Sequence, residues 1–361
     1  MPLAIIPSPD AAPTPVVPTR SSTHTKSSDS HEAVEALERF KQARVRHPAL
    51  QTLLNDLLRH IHSPDGESIL VLTGVTGAGK TAASEALQVA LLNEFRSDIE
   101  GNPGIIPVVT VEAGQSGDMK QGFKGLYRLA LTKLHEHDPD SGVAVVRKEG
   151  HLWLNVHGRR TTEGMRNVLE SALRHRQTKA LVIDEASHLL SMARSTAVMD
   201  TLKSLANTVG CKVVLIGSFD LLDIIVQSGQ VCRRTNIFAL QRYKDTADDR
   251  AAFKFVIQRL MQAWPCEAVP AFDAVSDELQ EVTFGAVGLL KNLMTNVLSQ
   301  QLEAGGVFSP YMLQNAAKAA ALRESIREEI EAGEAKLATS AYGSGAWTEA
   351  AFAKMTLKME G

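Results

Sequence analysis

One octapeptide, Gly74-Val-Thr-Gly-Ala-Gly-Lys80-Thr81, constrains this chain more than any other stretch. It follows an apolar run, Ser68 to Thr73, and opens a helix-like segment from Lys80 to about Phe95. Three glycines between a buried strand and a helix let the backbone curl so that successive N–H groups converge at the helix N-terminus, where an anion is stabilised. In that strand–loop–helix setting the pattern predicts a phosphate-binding loop, with Gly74, Val75, Thr76, Gly77, Ala78, Gly79, Lys80, Thr81 and Ala82 as its binding residues.

The chemistry needs partners for that loop. Lys80 supplies a point charge between β- and γ-phosphates, and the Thr81 hydroxyl can ligate Mg²⁺. Ala180-Leu-Val-Ile-Asp184-Glu185 is a second apolar run ending in two carboxylates. Asp184 is expected beside the Mg²⁺ shell, and Glu185 near the γ-phosphate, where a carboxylate orients and activates water. The bland alternative is that the two acids cap a strand end. Ser218, closing the run Val213 to Gly217, is placed either to hydrogen-bond the attacking water or to cap the helix from Phe219 onward. These residues predict an ATPase using ATP and Mg²⁺.

Around the loop, apolar strand-sized runs (68–73, 105–112, 180–184, 213–217 and 237–240) alternate with helical stretches (122–135, 161–175, 192–209 and 219–228). That alternation predicts an α/β core with a parallel five-stranded sheet covered on both faces. Residues 143–156 alternate with period two around Lys148-Glu149-Gly150 and predict an inserted β-hairpin. The core is placed at 65–244, with a basic insert at about 115–160. Before it come a Pro/Ser/Thr-rich tail at 1–30, containing six prolines and read as disordered, and helices within 31–64. After it, residues 245–281 hold eight Asp/Glu against three Lys/Arg, and helices at 246–263, 273–283 and 287–303 predict a small helical lid over 245–305. An Ala/Glu-rich helix from Pro310 to about Leu337 and a short one at 347–358 fill a C-terminal extension, 306–361.

Composition excludes several classes. At 361 residues and 44% hydrophobic, the chain can bury a sizeable core, and its net charge of −3 advertises no global polyanion binder. No apolar run approaches the ~18 residues of a membrane span. Met1 to Ile6 is too short for a signal peptide, and Cys211, Cys232 and Cys266 are far apart, so a reducing cytoplasm is expected. Charge is nevertheless unevenly spread. Residues 115–179 carry twelve Lys/Arg against seven Asp/Glu. Lys120, Lys124, Arg147, Lys148, Arg159 and Arg160 suit sequence-independent phosphate contacts to duplex DNA, or else form a solvated charged face.

The order of these features resembles the AAA+ ATPases, and most closely the transposition-helper ATPases of Tn7-like and Tn5053-like elements (the TnsC/TniB group, with IstB and phage Mu B as relatives). The likeness covers roughly residues 45–305. Gly74 to Thr81 looks like Walker A, Leu181 to Glu185 like Walker B, and Ser218 stands at the sensor-1 position. Val231-Cys-Arg233-Arg234 resembles the arginine-finger segment, without a choice between the two arginines. Gly288-Leu-Leu-Lys291 resembles the sensor-2 motif, with Lys where many relatives carry Arg. The resemblance implies a homo-oligomer, a ring or helical filament, that assembles with ATP on duplex DNA. A DDE transposase, and in some systems a target-selector protein, would be its partners. A replication-initiator or helicase-loader protein, and a signalling switch acting on a protein partner, are the rivals. A winged-helix domain after the lid would favour the initiator reading, but 306–361 shows no strand pair.

Overall fold

In the computed structural model the residues described are 25–64, 66–114, 119–136, 143–148, 151–156, 161–191, 195–226, 235–317 and 320–339. Among the described residues seven strands run in chain order: β1 (Ile69–Gly74), β2 (Val108–Glu112), β3 (Val143–Lys148), β4 (His151–Val156), β5 (Ala180–Asp184), β6 (Lys212–Gly217) and β7 (Thr235–Leu240). Five of them form one parallel sheet in the order β2-β5-β6-β1-β7. Every residue of β1 and β6 is buried, which explains why these strands read as continuous apolar runs rather than alternating ones. β3 and β4 pair antiparallel as a separate hairpin.

The second strand starts later than its apolar run suggests. Pro107 has no N–H to donate, and its carbonyl receives the N–H groups of Lys179 and Ala180, so ladder pairing begins at Val108. One sheet face is covered by α5 (Met119–Lys133), α6 (Thr162–His175) and α8 (Ser195–Val209), the other by α2 (Pro48–His62) and α3 (Lys80–Glu94). Short helices α4 (Arg96–Gly101), α7 (Ala186–Ser191) and α9 (Asp220–Val226) complete the core. The stretch read as one helix over 192–209 is therefore preceded by a separate turn of helix directly after Glu185.

The lid consists of α10 (Ala247–Gln262), a 3₁₀ turn at Phe272–Val275, α11 (Ser276–Val282) and α12 (Val287–Glu303), packed around Phe253, Val256, Leu290, Met294 and Val297. Helix α1 (Thr25–Gln42) joins that cluster rather than the sheet: Phe40 meets Trp264 edge to face at 5.1 Å. α1 also begins inside the stretch read as a disordered tail, because residues 25–30 already belong to its helix. The remaining tail, 1–24, lies outside the described residues, as does the helix expected at 347–358.

Beyond the lid the single helix read from Pro310 to Leu337 is two. α13 (Pro310–Ala316) packs on α12, Ala317 is extended (φ −66°, ψ 127°), and α14 (Ala320–Thr339) belongs to a different apolar cluster. Nothing in the Ala-rich sequence breaks the helix. Tertiary packing does, because Ile326, Ile330 and Leu337 of α14 are bound into the cluster on the P-loop face of the sheet.

Candidate nucleotide site

The site is built where β1, β5 and β6 end. At Gly74 an added Cβ would lie 2.9 Å from the Leu240 carbonyl oxygen, so only glycine lets β1 turn against β7 there. The loop then uses positive φ at Gly77 (77°) and Gly79 (102°), Gly79 standing at the N-cap of α3. Val75 and Ala78 are buried beneath the loop, Thr76 and Thr81 are exposed above it, and Ala82 is half-buried in the first turn of α3. The Lys80 ammonium donates to the carbonyls of Gly74 (3.0 Å) and Val75 (3.1 Å). Burial pulls the Lys80 pKa below its ordinary value, against the opposing pull of Glu185, Glu329 and Asp184.

Asp184 ends β5, next but one in the sheet to β1. Its carboxylate accepts the Glu185 N–H at 2.9 Å. Burial raises the Asp184 pKa, and the neighbouring Glu185 and Glu112 carboxylates push the same way. Glu185 is exposed and has φ of +51°, a backbone region that a residue with a Cβ seldom occupies and that recurs at functional sites. Its carbonyl accepts the His188 N–H at 3.0 Å, so the strained turn is the start of α7.

Ser218 lies at the end of β6, its carbonyl accepting the Thr73 hydroxyl at 3.0 Å. Its own hydroxyl donates to Asp220 Oδ2 at 3.4 Å, at the start of α9. Both readings of Ser218 are thus compatible with its place: beside the β1 terminus and at a helix start.

The lid touches the loop directly. Leu289 N–H donates to the Gly77 carbonyl at 3.1 Å, and a Cβ on Gly288 would sit 2.2 Å from that same oxygen. Lys291, one turn further on, is otherwise engaged. Its ammonium donates to the carbonyl of Lys41 (2.7 Å) and to that of Ala43, at the end of α1. Desolvation lowers its pKa to about 8. The structure therefore directs Lys291 to the N-terminal helix rather than to the phosphate loop.

Of the basic residues, Lys124 is half-buried on α5, and Lys120 lies in the same helix's first turn. Arg147 and Lys148 stand near the closed end of the hairpin, in register with Leu152 and His151. Arg159, Arg160, Arg233 and Arg234 lie outside the described residues. Two interactions escaped the sequence reading. Glu329 of α14 accepts the Thr76 N–H (3.3 Å) and the Thr76 hydroxyl, and Arg242 forks onto Glu334 at 2.9 and 3.2 Å. The stripe Ile326, Ile330, Gly333, Leu337, spaced as one helical face, signals that this helix packs on something, but not which residues Glu329 and Glu334 meet.

A glycine loop at the end of a central parallel strand, an acidic strand end beside it and a helical lid seated on the loop define a P-loop ATPase of the AAA+ fold. Residues 61–225 match the family model described as AAA domain. No curated protein matches the sequence. Among solved structures, the Aeropyrum pernix ORC2 protein in ADPNP-ADP complexes is similar at a TM-score of 0.53 with 13% identity, covering 76% of this chain and 68% of that one. CDC6P from Pyrobaculum aerophilum gives 0.51 with 14% identity over 77% and 69%. The Aeropyrum pernix ORC1 protein in complex with DNA gives 0.53 with 13% identity over 81% and 68%. These likenesses concern the fold.

Proposed function

We propose that this ATPase is a DNA-binding regulator of DNA transposition. ATP and Mg²⁺ at the loop build a homo-oligomer on duplex DNA, a DDE transposase (with or without a target-selector protein) engages that assembly, and hydrolysis dismantles it. The observation that carries the DNA reading is the hairpin inserted between α5 and α6, with Arg147 and Lys148 near its closed end. Together with Lys120, Lys124, Arg159 and Arg160 it supplies phosphate contacts that position a duplex without reading it. The transposition assignment rests on the resemblance of the core and of Gly288 to Lys291 to the TnsC/TniB group.

At the nucleotide, the loop N–H groups and Lys80 bind the phosphates. Thr81 and Asp184 fit Mg²⁺: Asp184 is half-buried beside the Glu185 and Glu112 carboxylates, which favour its proton, and a divalent cation would take the place of that proton. Bound Mg²⁺ neutralises charge on the phosphate oxygens. Glu185 holds and orients the attacking water, with Ser218 beside the γ-phosphate position. Arg233 or Arg234 of a neighbouring subunit completes the site on assembly, which makes hydrolysis depend on oligomers.

A second reading, a replication-initiator or helicase-loader protein, is favoured by the fold likeness to the ORC and CDC6 structures. Against it, the described residues after β7 contain helices and no strand, so no winged-helix domain follows the lid among them.

Duplex binding measured with and without a non-hydrolysable ATP analogue tests the reading. Lys80→Ala should lose ATP binding and ATP-dependent assembly. The pairs Lys120→Ala/Lys124→Ala, Arg147→Ala/Lys148→Ala and Arg159→Ala/Arg160→Ala should keep ATP affinity. For every phosphate that a variant no longer neutralises, the slope of log K against log salt should fall by about 0.9. Unchanged affinity and slope in all three pairs would move the reading to a switch acting on a protein partner. ATP-dependent stimulation of transposase strand transfer tests the transposition assignment against helicase loading.

A further inference from the structure

We propose that helix α14 is a strap over the phosphate loop whose Glu329 competes with ATP for the loop's donors, and that ATP binding displaces it. The inference rests on the P-loop being the ATP site.

The group of α14 that bonds the phosphate loop is an anion. The Glu329 carboxylate accepts both the Thr76 N–H and the Thr76 hydroxyl, so an acid occupies a donor pair on a loop whose N–H groups serve phosphates. Its charge reaches Lys80 as well. A triphosphate approaching the loop therefore meets a like charge, already holding part of the donor set it needs.

The helix is seated on both sides of that carboxylate. Ile330 is buried in the apolar cluster that contains Val75 and Ala78 of the loop, with Ile326 and Leu337 packed against it. Gly333 lies directly on the Phe219 ring, where an added Cβ would come within 1.9 Å of a ring carbon. Phe219 follows Ser218, so the same helix face spans the phosphate loop and the end of β6. Glu334 is held bidentately by Arg242, just beyond β7. One helix thus covers the ends of β1, β6 and β7, latched by Glu329, Glu334 and the glycine surface at Gly333. Ala317 is extended at the end of α13, and the two helices belong to different apolar clusters, Ile330 of α14 on the P-loop face and Ala316 of α13 in the lid.

The test uses the full chain, titrated with ATPγS by calorimetry, and hydrogen exchange of the amides of 326–337. Glu329→Gln should bind ATPγS about tenfold more tightly, since a charged hydrogen-bond acceptor no longer competes. Gly333→Val should lift α14 by collision with Phe219, raise its amide exchange about tenfold or more, and tighten ATPγS binding in parallel. In the wild type, saturating ATPγS should speed exchange of the same amides. Two results overturn the strap: both variants binding ATPγS with unchanged or weaker affinity, or α14 becoming better protected when ATPγS is bound. Either would make the helix an ordinary wall of the nucleotide pocket. If neither wild type nor variants bind ATPγS, the nucleotide reading itself falls, which is a different result from a strap that binds ATPγS without moving.

Discussion

The two walls of the nucleotide site are held by different kinds of bond. The strand wall (Gly74 to Thr81, Asp184, Glu185 and Ser218) is fixed by a parallel ladder in which β1 is paired on both sides and wholly buried. The helical wall is fixed by apolar packing, with Ile330 of α14 in the P-loop-face cluster, and by single interactions across long stretches of sequence: Leu289 to Gly77, Glu329 to Thr76, Arg242 to Glu334 and Lys291 to the end of α1. Backbone ladders in a core open only with the fold, whereas surface-seated helices open locally at much lower cost. If the strap proposal holds, a nucleotide-driven change should be confined to the helical wall and leave the strand wall in place.

The largest expected effect lies on the strand wall. Glu185→Gln retains size and hydrogen bonding but removes the base, so turnover should fall ~10²-fold or more while ATP binding survives. Steady-state phosphate release beside an ATP titration decides this. Near-normal turnover would make the positive φ of Glu185 a feature of the α7 turn alone.

Next in size is the seam between the walls. Gly288→Ala places a methyl where the Gly77 carbonyl oxygen stands 2.2 Å away, and neither backbone can yield without tilting α12. A loss of roughly 2–4 kcal/mol in chemical denaturation is expected, with slower ATP turnover. A variant as stable and as active as wild type would show that the lid does not need its close seat on the loop.

The same division explains what could be read from the sequence. The strand wall was legible because buried parallel strands are continuous apolar runs, and because Gly74 to Thr81 and Asp184-Glu185 lie at the ends of such runs. The direction of Lys291 was not legible because its motif specifies a helix position, not the course of a flexible four-carbon side chain, which here reaches two carbonyls at the end of α1. Glu329 was invisible since no periodicity links it to Thr76 across 253 positions of sequence. The break at Ala317 was equally hidden: alanine has the strongest helix propensity, and only the pull of the P-loop face on Ile330 overrides it.

A pH effect of intermediate size is expected where α2 meets the lid. His47 caps α2: its Nδ1 accepts the Leu50 N–H (3.4 Å), so that nitrogen is unprotonated and Tyr243 Oη, 2.8 Å away, donates to it. Tyr243 N–H in turn donates to the Gly285 carbonyl (3.0 Å) at the lid. Burial lowers the His47 pKa from 6.5 to about 4. Between those values the unfolded chain takes up the proton and the folded one does not. Stability is therefore intact above about pH 6.5 and is lost as pH falls toward 4, by up to about 3 kcal/mol. His47→Asn retains a capping acceptor without titrating and should flatten that slope. An unchanged slope would assign acid sensitivity to other groups.

The smallest effect is the one that best separates the two walls. Arg242 and Glu334 are each about a quarter exposed (24% and 29%), and solvent screening limits such a pair to about 1 kcal/mol even in bidentate geometry. Arg242→Ala should therefore barely move the global unfolding midpoint, because the sheet and its ladders do not depend on it. Local opening of α14 starts from a much smaller free energy, so the same substitution should raise amide exchange over 326–337 severalfold and leave β1, β5 and β6 unchanged. Exchange rising equally in the strands would mean that the two walls open together, and the contrast between a ladder-held wall and a side-chain-held one would be wrong. Exchange unchanged everywhere would place the seating of α14 on Ile330 and Gly333 alone.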